Sequence, residues 1–104
     1  LFVSDGKGSE SFYRGGTLVV WFYYDESKFT FYGHDLGGYP GSSEYEYWLH
    51  VTVSALRRAL HGGAHDDIGE LVCKHYEEIM SVGEMTWLKR HGVPFEFNSR
   101  IETD

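Results

Sequence analysis

Apolar and polar residues alternate along this chain with two different periods. From Glu44 to Val53 (EYEYWLHVTV) the side chains sort strictly by parity. Tyr45, Tyr47, Leu49, Val51 and Val53 fall on one side, and Glu44, Glu46, Trp48, His50 and Thr52 on the other. A strand with one face on a core has this period. Thr17–Tyr24 (TLVVWFYY) is β-branched and aromatic with Leu18 as its one helix former, and predicts a strand apolar on both faces. After the polar break Asp25-Glu26-Ser27, Lys28–His34 (KFTFYGH) resumes the alternation, which predicts a hairpin with the strand before it. Ser11–Tyr13 reads as a short strand, and Phe95–Ile101 (FEFNSRI) as the last one.

Between these strands the period becomes helical. Ser54 is placed to cap Ala55–His61, with Gly62 as its stop. Asp66 or Asp67 caps the next helix, whose Ile68, Leu71, Val72, His75, Tyr76 and Ile79 line one face. Ser81-x-x-Glu84 has the spacing of a capping box and opens a third helix carrying Met85, Trp87 and Leu88. Gly92 and Pro94 end it. The predicted order is β-β-β-α-α-α-β. It is an α+β fold, an antiparallel sheet of about four strands with two to three helices on one face.

At 104 residues the chain holds one core and is expected to be a single domain over 1–104, with a loop-rich N-terminal segment over 1–16. Sixteen acidic against nine basic residues leave a net charge of −7, which argues against direct nucleic-acid binding. No apolar run approaches the roughly 20 residues of a membrane helix. One cysteine excludes an intrachain disulfide and a Cys-rich zinc site, and suits a reducing cytoplasm. The start Leu1-Phe2-Val3 lacks Met, which suggests that residues precede it. It also lacks the apolar stretch of a secretory signal.

Candidate chemistry is sparse. His61-x3-His65 has a helical metal-ligand spacing, but Gly62-Gly63 interrupts it. Cys73 and His75 would diverge by about 200° around a helix, too far for a nucleophile and its base. Gly33-His34-Asp35-Leu36-Gly37-Gly38 could cradle a phosphate, yet a strand follows it where a helix N-terminus is needed. The carboxylate pairs Glu44/Glu46, Asp66/Asp67 and Glu77/Glu78 read as solvated charge. No catalytic residue, metal or cofactor is therefore expected. The low-ranked alternative is a metal-dependent enzyme using His34, Asp35, His61 and His65.

The second face of the sheet is the more informative feature. Tyr32, His34 and Asp35 are expected to join Glu44, Glu46, Trp48 and His50 there, with Val19, Trp21 and Tyr23 beside them. Aromatic rings among carboxylates suit a basic protein partner, through buried anchors and electrostatic steering. The helical carboxylates Asp66, Asp67, Glu70, Glu77 and Glu78 form a second acidic surface.

In size, acidity and aromatic content, and in segments such as GHDLGGYPGSSEYEYW and WLKRHGVPFEF, the chain resembles the immunity proteins of bacterial contact-dependent and polymorphic toxin systems. The resemblance implies a cytoplasmic protein that binds and neutralises one cognate toxin domain, often a basic nuclease. A homodimer or homo-oligomeric structural subunit is the other expectation.

Overall fold

A computed structural model describes residues 11–35 and 42–103. Of the glycine-rich loop expected over Asp35–Ser43, residues 36–41 lie outside them, as do the first ten residues of the N-terminal segment, while Asp35, Ser42 and Ser43 belong to strands. Among the described residues the chain forms one antiparallel sheet, in spatial order β1-β2-β3-β4-β5, with four short helices. The strands are β1 Tyr13–Gly15, β2 Leu18–Tyr24, β3 Lys28–Asp35, β4 Ser42–Thr52 and β5 Glu96–Thr103. The helices are α1 Val53–Ala59, α2 Ile68–Lys74, α3 Tyr76–Val82 and α4 Glu84–Arg90. The α+β reading holds; the short strand read at Ser11–Tyr13, outside the predicted order of four, forms two residues later as β1, and there is one helix more than expected.

Parity decides which strand residues enter the core. Val20 and Phe22 of β2, Phe29 and Phe31 of β3, and Leu49 and Val51 of β4 are buried under the helical layer, against Leu56, Val72, Ile79 and Leu88. The β2–β3 turn is closed by Asp25, whose Oδ1 accepts from the backbone N–H groups of Ser27 and Lys28 at 2.8 Å each. These bonds hold the Asp25 carboxyl below its usual range.

The helix boundaries correct several expectations. Thr52, not Ser54, caps α1. Its Oγ1 accepts from Ala55 N–H at 3.2 Å, so the strand runs directly into the helix. The left-handed residue after α1 is His61 (φ 56°), not Gly62. Gly62 is needed for space, because a Cβ there would stand 2.3 Å from Cδ1 of Leu71. Asp67 caps α2 as read, accepting from Glu70 N–H at 3.0 Å. It also receives the Tyr24 hydroxyl at 3.0 Å, so one side chain ties helix to sheet. Burial, followed by this carboxylate, pushes Tyr24 up to about 12.

The single helix expected over Ile68–Ile79 breaks at His75. There the ring Nδ1 meets Leu71 O at 2.9 Å, and the backbone N–H reaches the same carbonyl only at 3.3 Å. A shared acceptor loosens the helical ladder, and α3 starts afresh.

Ser81 is not an N-cap. It lies inside α3 and donates to Glu78 O at 2.9 Å. Gly83 (φ 91°) opens α4 without a side-chain cap, and Glu84 is drawn into the core by the Tyr47 hydroxyl at 2.5 Å. Thr52→Ala should therefore cost about 1 kcal/mol. Ser81→Ala, at an exposed site, should stay within about 0.5 kcal/mol of the parent in urea denaturation.

Candidate functional site

The sheet face away from the helices is a grid, because antiparallel register places four strands in line. One row runs Trp21, Tyr32, Trp48, Asn98. The rows on either side run Val19, His34, Glu46, Arg100 and Tyr23, Thr30, His50, Glu96. Six of the seven predicted contact residues, Tyr32, His34, Glu44, Glu46, Trp48 and His50, share this face. Asp35 does not. By parity it belongs with Leu18 and Tyr45 on the opposite side, where its Oδ1 accepts from Thr17 Oγ1 at 2.5 Å.

The central row is an aromatic stack. Trp21 and Tyr32 lie with ring centres 5.5 Å apart at 22°, and Tyr32 and Trp48 lie 5.5 Å apart at 31°. Such cross-strand pairs contribute roughly 0.5–1.5 kcal/mol each beyond area burial. They also leave the rings half-buried, so the face is less bare than its composition suggests.

A polar lock stands next to the stack. Glu46 is only 8% exposed; it accepts from the Tyr32 hydroxyl on one oxygen and from Arg100 on the other, with Arg100 Nε at 3.0 Å. The Tyr32 bond, then the Arg100 bond and charge, hold Glu46 below the usual carboxylate range against the effect of burial. Burial first and Glu46 second push the Tyr32 phenol well above its ordinary value. His34 Nε2 meets Glu44 Oε1 at 2.6 Å, and His50 Nδ1 meets Thr30 Oγ1 at 2.8 Å.

The pairing makes Glu46 a structural carboxylate. Glu44, with its side chain 43% exposed, stays open to a partner, as does exposed Glu96 of β5. Arg100, Asn98 and Glu96 were missed from sequence. Their alternation within FEFNSRI was visible, but nothing local says that the last strand lies beside β4.

The other candidates do not converge. His61 and His65 are exposed in the α1–α2 connection, on the helical side, with the sheet between them and His34. Arg57 organises that connection by donating to Gly63 O at 2.7 Å and Asp66 O at 2.6 Å. Among the described residues no group of three or more His, Cys, Asp or Glu side chains could hold a metal ion. Gly33 lies inside β3 under the Tyr47 ring, so it belongs to the packing and not to a phosphate loop. Cys73 is half-buried against the core.

The helical acidic surface is largely engaged in structure. Asp66 binds Gly63 N–H, Asp67 caps α2, and Glu78 accepts from Trp87 Nε1 at 2.6 Å. Among the described residues no helix is long and apolar enough to cross a membrane. No protein-family model, curated protein or solved structure matches the chain.

Proposed function

We propose that this chain is a cytoplasmic immunity protein that binds and neutralises a basic toxin domain through the open sheet face. The observation that carries this reading is the Trp21–Tyr32–Trp48 stack with Glu44 beside it, on the sheet face without helices of a protein with net charge −7. Rings already held in place by stacking lose little freedom on binding. Carboxylates around them attract a cationic surface before contact.

The test is association with the basic product of a neighbouring reading frame, followed by kinetics of two variants. Glu44→Lys should slow association, with an effect that shrinks as salt rises. Trp48→Ala should act mainly on dissociation, by about 2 kcal/mol or roughly thirtyfold, nearly independent of salt. Wild-type kinetics for both variants would remove this face from the interface. Failure to find any basic partner would sink the immunity reading.

A second reading, a homo-oligomeric subunit, is favoured by one observation. β5 is an eight-residue edge strand free of Pro and Lys, with Phe97 40% and Ile101 62% exposed. Such an edge is a template for pairing. Light scattering that gives a monomer mass at all concentrations would exclude this reading.

A further inference from the structure

A cavity of about 240 Å³ opens between β4, the start of β5 and the α3–α4 junction, on the side of the sheet opposite the Trp48 stack. Tyr45, Tyr47 and Phe97 wall it with aromatic rings, Tyr47 lying 6.1 Å from Tyr45 and 6.3 Å from Phe97 between centres. Gly83, Glu84, Met85 and Thr86 line it from the helical side, with Leu49 on the sheet. Glu84 is only 5% exposed, and among the described residues it forms no ion pair. The Tyr47 hydroxyl is its one side-chain hydrogen-bond partner there. A glutamate this deep normally has a cation beside it.

The lining selects the kind of cation. A metal ion needs several oxygen, nitrogen or sulfur ligands, and here one carboxylate and the hydroxyl residue Thr86 stand among rings and a thioether. A neutral apolar guest would leave the carboxylate unpaired. A guanidinium bonds a carboxylate best through both oxygens, and Oε2 of Glu84 is already taken by the Tyr47 hydroxyl, whereas an ammonium is a compact point charge that needs one oxygen and can also lie against ring faces. The volume suits one short alkyl chain and is below that of an ordinary ligand pocket. We propose that this cavity is an aromatic cage for a primary alkylammonium group, with Glu84 as the counter-ion and Tyr45, Tyr47 and Phe97 as the walls. The proposal does not depend on the immunity reading, since the two surfaces lie on opposite sides of the sheet.

The experiment titrates the full chain with n-butylammonium chloride and with n-butanol, following the amide resonances of Gly83, Met85 and Phe97 by NMR. Saturable shifts are expected with the amine, at an affinity about tenfold or more above the alcohol. Glu84→Gln keeps an acceptor for Tyr47 and removes the charge, and should weaken amine binding by about tenfold. Should that variant not fold, Phe97→Ala at the exposed edge serves instead, with a severalfold loss expected. Parallel titrations with Nα-acetyl-lysine methylamide and with 1,5-diaminopentane separate a protein lysine from a free diamine as the source. Equal shifts with butanol and butylammonium, or unchanged amine binding in a folded Glu84→Gln or Phe97→Ala variant, would overturn the cage.

Discussion

Gly33→Ala is expected to destabilise the protein by about 3 kcal/mol, lowering its melting temperature by roughly 10–20 °C. A Cβ built on Gly33 would stand 2.1 Å from Cε2 of Tyr47 and 2.2 Å from its Cζ. Real atoms do not approach so closely, so either the ring or the strand must move. The ring is constrained at its far end, because its hydroxyl donates to buried Glu84 at 2.5 Å, and that bond joins β4 to α4. Sliding the ring off Gly33 therefore strains the junction between sheet and helical layer. In a Tyr47→Leu background the obstacle is gone, and the added methyl should cost less than about 1 kcal/mol. Equal costs in both backgrounds, by urea denaturation, would show that Tyr47 is not what Gly33 accommodates. The change lies on the core side of the sheet, so the folded fraction should retain the Trp21–Tyr32–Trp48 stack.

Gly33 also illustrates what could be read from the chain and what could not. The strand KFTFYGH was legible, because an alternating pattern needs only two faces of unequal burial. So were the two faces of EYEYWLHVTV, and with them the Trp48 side of the candidate site. The same period-two rule puts Asp35 on the side of Phe31 and Gly33, away from His34. Neighbours along a strand, Asp35 and His34 therefore stand on opposite faces of the sheet. Helix ends were less legible, since a capping spacing says which bonds are available and not which are made. Ser81-x-x-Glu84 fails because α3 runs on through Ser81 to Val82, so the serine is already helical and Gly83 opens α4. Thr52 was read as strand because its side chain follows the alternation, although its hydroxyl already caps α1. Least legible was Arg100. It is 54 residues from Glu46 in sequence, and only the neighbour relation of β5 to β4 brings the two together.

That pair supports the second large effect. Glu46→Ala should cost about 2 kcal/mol at neutral pH, because it removes the acceptor of two side chains at once. The Tyr32 hydroxyl is left half-buried without its partner. Arg100, with its side chain 59% exposed, can return to water at lower cost. Tyr32→Phe should cost only about 1 kcal/mol, since Glu46 keeps Arg100. The pH dependence has a definite sign. The Glu46 carboxyl is held below its ordinary value of 4.5, so the folded state binds its proton less readily than the unfolded chain does. Its contribution is complete above about pH 4.5 and is lost as the pH falls through the lowered folded value. The parent should therefore lose more stability than Glu46→Ala between pH 6 and pH 3, and the two denaturation midpoints should converge in acid. Parallel pH profiles would mean that neither Tyr32 nor Arg100 stabilises the charged form. The comparison bears on function as well, because Tyr32 is the middle ring of the stack. If Glu46→Ala folds but binds a basic partner more weakly, with a dissociation rate raised as in Trp48→Ala, then the lock acts by holding that ring in place. An effect on association that fades with salt, as expected of Glu44→Lys, would instead assign Glu46 to the steering field.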